Sequence, residues 1–291
     1  MDTKEILKRV RRIELKTRGV VNDLFSGEYH SVFKGRGMTF SEVREYSVGD
    51  DVRTIDWNVS ARFAHPFVKV FEEERELTVM LLVDMSGSQN FGTRVQTKQE
   101  LTAELSAIFA FSALKNNDKS GLMLFTDRVE KFIPPKKSRS HPLRIIREVI
   151  NAVPEGKGTN LKVALEHLNS MISKRAIVFL ISDFQDSGYD QILKTVAKKH
   201  DLICVVLEDD REIALPKLGL IDLVDPETGI RTTVNSSSPE FRKQFFEKWQ
   251  MEREKRESLF KAAKVDRIEI RTGESYIKPL TTFFKLREKR W

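Results

Sequence analysis

The stretch LLVDMSGSQN, residues 81–90, joins an apolar run to an abrupt cluster of one carboxylate and two hydroxyls. An extended chain points every second side chain to the same side. Asp84, Ser86 and Ser88 are therefore expected to converge on one small, oxygen-lined volume just past a strand's end. The run leading into them, LTVMLLV at 77–83, is apolar without alternation, which is how a strand covered on both faces reads.

Working outward, the same grammar recurs. SGLMLF (120–125), RAIVFLIS (175–182), DLICVVL (201–207) and RIEIRT (267–272) read as further strands, with RVEKFIP (128–134) a short additional one. Between them lie helical patterns: one near 95–116 with Leu101, Leu105, Ile108, Phe109 and Leu114 on one side, then SHPLRIIREVINAV, TNLKVALEHLNSMI from Thr159, YDQILKTVAKKH, and a final SYIKPLTTFFKLREKR. Strands alternating with helices of this length predict parallel crossover units, hence an α/β fold, Rossmann-like, with an open, mostly parallel sheet and helices on both faces. The rhythm breaks near 209–236, where LGLIDLVDPETGIRTTVN predicts an inserted hairpin turning at Asp225, Pro226 and Gly229. Ser238 and Pro239 then start a long charged helix to about 264, with Phe241, Phe245 and Trp249 as its expected anchors. Upstream, residues 1–25 read as a helix carrying Ile6, Leu7, Val10, Ile13 and Leu15, and 30–75 as short extended pieces broken by turns. The expected organisation is an appendage over 1–75, a small helix and β-rich element packed against a sheet domain over 76–291.

In an open parallel sheet, ligands sit beyond the carboxyl ends of the strands where the winding reverses. Two more oxygen donors are predicted there: Thr159 in GKGTN, leading into a helix, and Asp183 at the end of IVFLISD. With Asp84, Ser86 and Ser88 they make two carboxylates and three hydroxyls from three separate loops. Such a set suits Mg²⁺, with Mn²⁺ or Ca²⁺ as substitutes, and suits zinc or copper poorly because no imidazole or thiolate belongs to it. Plainer readings stand beside each piece. Ser and Asp after a strand are common turn formers, and Thr159 alone reads as a helix N-cap sooner than as a ligand.

Other chemistries find less support. EGKGTN at 155–160 is no phosphate loop, since Asn151 stands where the first glycine belongs and Gly158 where a Ser or Thr must hold the metal. DMSGS lacks the first glycine of a nucleophile elbow. His30, His65, His141, His167 and His200 show no ligand spacing. Asp50, Asp51 and Asp56 invite a second metal site, but VGDD reads better as a turn packed by Trp57, Phe63 and Phe67. The chain of 291 residues carries a formal charge of +7 with a pI near 9.3, yet the signs are interspersed, and the densest basic run, PPKKSRSHPLRIIR, holds no aromatic for stacking on bases; no nucleic acid is expected. Lone Cys204 excludes an internal disulfide framework and reads as an inert core residue. No apolar segment reaches the roughly 18 residues that span a bilayer, and the first residues are too charged for a signal peptide. The expectation is a cytoplasmic protein without membrane insertion, its oligomeric state left open.

The trio DMSGS, then Thr159, then Asp183, resembles the metal-ion-dependent adhesion site of von Willebrand factor A domains, and all five positions match. The runs GRGMTFSEVREYSVGDDVRTIDWNVSAR (35–62) and DDREIALPKLGLIDLVDPETG (209–229) resemble the bacterial family called domain of unknown function 58, a likeness covering about 30–285. The resemblance implies that Ser86, Ser88 and Thr159 bind the ion directly and that Asp84 and Asp183 bind it directly or through water. It leaves one position for a partner's Asp or Glu. It also implies a non-enzymatic, chaperone-like role beside a MoxR-type AAA+ ATPase. Two alternatives stay open: a metal-dependent hydrolase, and a structural interaction module that does not use the metal.

Overall fold

Runs of consecutive apolar residues, flanked by turn formers, build the middle of a sheet because both of its faces are covered. In the computed structural model, which describes residues 3–25, 38–73, 76–92 and 96–289, these runs are β3 (Thr78–Asp84), β4 (Lys119–Phe125), β6 (Ile177–Ser182) and β7 (Asp201–Glu208). Every residue of β6 is buried, as is all of β3 after Thr78. With β5 (Val129–Lys136) and β10 (Asp266–Arg271) they form a six-stranded sheet in the order β10-β7-β6-β3-β4-β5. All pairs are parallel except the edge strand β5, which runs antiparallel to β4. This is the expected mixed α/β, Rossmann-like arrangement.

One face of the sheet is covered by helix α3 (Lys98–Lys115), whose residues from Leu101 to Ala113 are all buried. A helix apolar on all sides needs cover on all sides. The sheet supplies one cover; α1 (Thr3–Phe25) and α4 (His141–Asn151) supply the other. Phe109 of α3 stacks on Phe179 of β6 with ring centroids 3.8 Å apart. On the opposite face Met80, Leu82, Met123, Phe125, Leu180 and Cys204 pack with α5 (Leu161–Met171), α6 (Asp190–Lys199) and Phe260 of α8 (Pro239–Ala263). Cys204 is fully buried, and burial holds its thiol pKa far above the ordinary value, as an inert core residue requires. Among the described residues no helix is long and apolar enough to cross a membrane.

The chain divides into two compact units, Phe33–Leu77 and the rest. The expected appendage over 1–75 is thus split, because α1 packs with the larger unit. The helix buries Val10, Thr17 and Val21, spaced by seven and four residues, and is held by ion pairs from Arg9 to Glu100 and from Lys16 to Glu104 at 2.8 and 2.7 Å. Leu7 and Leu15, expected on the buried stripe, are exposed. The anchor expected at Phe241, Phe245 and Trp249 in α8 is likewise displaced. Those three are half-buried, and Phe260 is the helix's fully buried residue.

The smaller unit is an antiparallel pair, β1 (Met38–Glu45) with β2 (Phe67–Glu73), and a short helix α2 (Trp57–Phe63). Its three aspartates serve the backbone and a neighbouring cation. Asp50 accepts from both terminal nitrogens of Arg44 at 2.8 and 2.6 Å, Asp51 from Arg53 N at 3.0 Å, and Asp56 caps α2 through Asn58 N and Val59 N. Phe63 and Phe67 bring their rings within 5.4 Å, but Trp57 is exposed, contrary to the expectation that it packs the turn. Residues 30–37 of the upstream motif lie outside the described residues.

The expected insertion is present as β8 (Leu220–Val224) and β9 (Arg231–Asn235), an antiparallel pair separate from the main sheet, following the short helix α7 (Asp210–Ile213).

Candidate metal centre

From β3 the chain crosses to β4 on one side, and from β6 to β7 on the other, so the winding reverses between β3 and β6. Asp84 ends β3 and Asp183 follows β6 directly, which puts both at the crevice opened by that reversal. The register pairs Val83 with Ile181, and one step further Ser182 donates its hydroxyl to Asp84 Oδ2 at 2.6 Å. Asp84 Oδ1 accepts from Ser86 N at 2.9 Å. The hydroxyls of Ser86 and Ser88 stand 3.0 Å apart, and Asp84, Ser86 and Ser88 are all buried.

The three do converge, though by a different route from simple alternation. Strand pairing stops at Asp84, Ser86 is extended, and residues Gly87–Asn90 close into a 3-10 turn that brings Ser88 back beside Ser86. Beyond β6, Phe184 takes a left-handed conformation, φ 59°, costing about 1–3 kcal/mol in a non-glycine residue. Its ring packs edge-on to Phe260 and its N–H is accepted by Ser182 Oγ, and these contacts fix the turn that aims Asp183.

Thr159 comes from a third loop. The N-cap of α5 is Asn160, whose side chain accepts from Val163 N, so Thr159 is free of the capping role that the sequence left open. Its loop is joined to the serine loop by Gly87 N donating to Lys157 O at 2.8 Å. The Thr159 hydroxyl donates to Glu227 Oε1 at 2.7 Å, across 68 residues of sequence.

Two neighbours were not foreseen. Lys98, the first residue of α3, is wholly buried, and its ammonium donates to Asp183 Oδ2 at 2.9 Å and to Glu212 Oε1 at 2.7 Å. Its signal was present in the sequence: Lys98, Leu101, Thr102 and Leu105 fall on one helical stripe, and all four are buried. Glu227 sits in DPETG, read only as turn chemistry. Arg256 steadies the rear of the site, donating to the Asp183 carbonyl at 3.3 Å and to Glu208 at 2.7 Å.

The electrostatics follow from burial. Desolvation, then the charge of Asp183, push the Asp84 carboxyl up to about 7 against the opposing hydrogen bonds from Ser182 and Ser86. Glu212 and Glu227 are raised as well, first by desolvation, against hydrogen bonds from Lys98 and Thr159 respectively. Burial drives the Lys98 ammonium down, but Asp183 and Glu212 outweigh it and the net shift is upward. Asp84, Asp183, Glu212 and Glu227 thus set four acidic groups at this edge against the Lys98 ammonium and an Arg256 guanidinium shared with Glu208, a deficit of positive charge that a divalent cation would meet. Among the described residues no three His, Cys, Asp or Glu side chains gather closely enough to hold a metal by themselves. An ion here would depend on Ser86, Ser88 and Thr159 hydroxyls and on water for the rest of its shell. That donor set fits a hard, oxygen-seeking ion such as Mg²⁺ and gives a thiophilic metal nothing to hold.

Residues 42–255 match the family described as "Protein of unknown function DUF58". An uncharacterized protein of Mycobacterium tuberculosis, Rv1480, is 29% identical over 233 residues, spanning 79% of this chain and 74% of its own. Among solved structures, the conserved hypothetical protein BatB from Bacteroides thetaiotaomicron aligns over 73% of this chain and 99% of its own, with a TM-score of 0.49 and 15% identity. The SpRpn10 VWA domain aligns over 70% and 93%, with a TM-score of 0.39 and 9% identity. Both scores are under 0.5. On the family match across most of its length, the chain belongs to the DUF58 family.

Proposed function

We propose that the crevice is a metal-ion-dependent adhesion site on a von Willebrand factor A-type domain, and that the protein is a metal-dependent adaptor. It holds Mg²⁺, or Mn²⁺ or Ca²⁺ in its place, through Asp84, Ser86, Ser88, Thr159 and Asp183, and captures an Asp or Glu side chain of a protein partner. The partner is a MoxR-type AAA+ ATPase, or a client on which the two act in the cytoplasm. The observation that carries this reading is the burial of Asp84 beside Asp183 at adjacent strand ends, with two serine hydroxyls turned on each other 3.0 Å apart. Burying two carboxylates side by side is costly unless a cation compensates them. When bound, the ion supplies a positive centre that attracts an incoming carboxylate. The chain's own residues hold that centre in place and exclude water from its rear.

The direct test is recovery of the purified MoxR-type ATPase on the immobilised full chain. Recovery is expected with Mg²⁺ and is lost in EDTA; equal recovery under both conditions refutes the reading.

Ion uptake should also depend on pH. The ion needs Asp84 ionised, and in the metal-free protein that carboxyl holds its proton up to about pH 7. Mn²⁺ affinity is expected to rise by about tenfold per pH unit between pH 5.5 and 6.5 and to level off above 7.5, because uptake displaces a proton. Calorimetric titrations at three pH values read this directly, and a flat profile contradicts it.

A further inference from the structure

The inserted hairpin exposes one face, on which Leu220, Val224 and Ile230 meet solvent, while Ile221, Leu223 and Val234 are half-buried. Its tip is different. A Cβ placed on Gly87 would lie 2.3 Å from the Pro226 carbonyl oxygen, so the tip rests on the backbone of the serine loop at a distance only glycine permits. On the other side lies Gly158, where a Cβ would come to 3.8 Å from Glu227 Oε2, an ordinary contact. Between these two glycines the Glu227 carboxylate reaches the Thr159 hydroxyl. The turn that delivers it is built locally: Asp225 Oδ1 accepts from Glu227 N at 2.9 Å and Thr228 N at 3.3 Å, and Gly229, with φ 73°, closes the loop back to the Asp225 carbonyl. Of the two acids at the tip, Asp225 turns back on its own loop, whereas Glu227 turns inward to Thr159, where it feels the charge of Asp183.

We propose that Glu227 is an in-chain occupant of the acceptor position: it completes the ligand set of the bound cation in the free protein, and a partner's Asp or Glu must displace it. The inference rests on the metal reading above. Tethered to the same chain, the Glu227 carboxylate acts at an effective concentration on the order of millimolar, so weak or chance acids are shut out and a partner succeeds by adding contacts of its own. The insertion then serves as a latch on the site, and its lifting accompanies capture.

The test uses the full chain and Mn²⁺ alone, comparing wild type with Glu227→Gln, an isosteric change at a half-buried turn that leaves an amide for Thr159 to bond. Three readouts are taken: Mn²⁺ affinity by calorimetry, water-proton relaxivity per bound ion, and hydrogen exchange across Leu220–Asn235. The expected result is a roughly 10- to 100-fold weaker affinity in the variant, the range seen when a group supporting a metal is removed. Relaxivity per ion should also be higher, as water takes the vacated position, and the Mn²⁺-induced slowing of hairpin exchange seen in wild type should vanish. Equal affinity, relaxivity and hairpin exchange in the two proteins overturn the latch while leaving the metal site standing. Failure of the wild type to take up Mn²⁺ overturns the metal reading and the latch together.

Discussion

Replacing Lys98 by methionine is expected to lower the stability of the metal-free protein by about 3–5 kcal/mol, the cost of leaving a buried ion pair half-made. The size follows from the surroundings. Lys98 and Asp183 side chains are 0% and 2% exposed, so the Asp183 carboxylate would lose the ammonium bonded to it with no water to replace it. Glu212, at 21% exposed, is partly relieved by solvent. In thermal unfolding the loss corresponds to a fall on the order of 10 °C for a domain of this size. The sign with pH is fixed by the direction of the shift. The Lys98 pKa is raised, so its contribution is complete below the ordinary lysine value and fades only as pH climbs through the raised one. Between pH 8 and 9, above the titration of Asp84, the deficit in Lys98→Met should therefore be constant. It should shrink when Mn²⁺ is added, because a cation beside Asp183 offsets the missing ammonium and ligand binding to the folded state adds stability by mass action. A deficit under 1 kcal/mol, or one that Mn²⁺ leaves untouched, would place Lys98 outside the site's charge balance.

The second large effect is at Asp84. Asp84→Asn keeps the shape and the bond accepted from Ser86 N, reverses the bond to Ser182, whose hydroxyl then accepts from the amide, and removes the charge; it is expected to weaken Mn²⁺ binding by more than about 100-fold, since even groups behind a ligand are worth 10- to 100-fold. Stability in chelator should move the other way. A carboxyl whose folded pKa is raised contributes stability that is present below its unfolded value, near 4, and is lost as pH rises through about 7. Above pH 7 the metal-free wild type bears that cost and the asparagine variant does not. Melting temperatures at pH 8 in EDTA should place Asp84→Asn level with the wild type or above it, and Mg²⁺ should then raise only the wild type. A variant markedly less stable than wild type in EDTA would show that Asp84 is a structural carboxylate, valued for its charge within the fold.

Local signals carried much of this molecule. The unbroken apolar runs of β3, β6 and β7 announce strands covered on both sides, and Asp225, Pro226 and Gly229 announce the hairpin turn; each was readable because its cause lies within a few residues. Asp84, Ser86, Ser88 and Asp183 were legible because strand ends in an open parallel sheet meet at one edge. What escaped was decided by partners far away in the chain. Lys98 meets Asp183 across 85 residues and Glu212 across 114, and the stripe it shares with Leu101, Thr102 and Leu105 marks its buried side without naming the carboxylates met there. Glu227 looks like any exposed turn acid until the hairpin tip is seen resting on Gly87. The first helix was misjudged for the same reason. Leu7 and Leu15 are as apolar as Val10 and Val21, and only the face offered by α3 and α4 selects which pair is buried.

Calorimetric titration of the full chain with Mn²⁺ at pH 7.5, repeated on Asp84→Asn, bears most directly on the site. One ion taken up per wild-type chain and none by the variant is the expected result. No uptake by the wild type, or equal uptake by both proteins, would contradict a cation held between Asp84, the paired serines, Thr159 and Asp183.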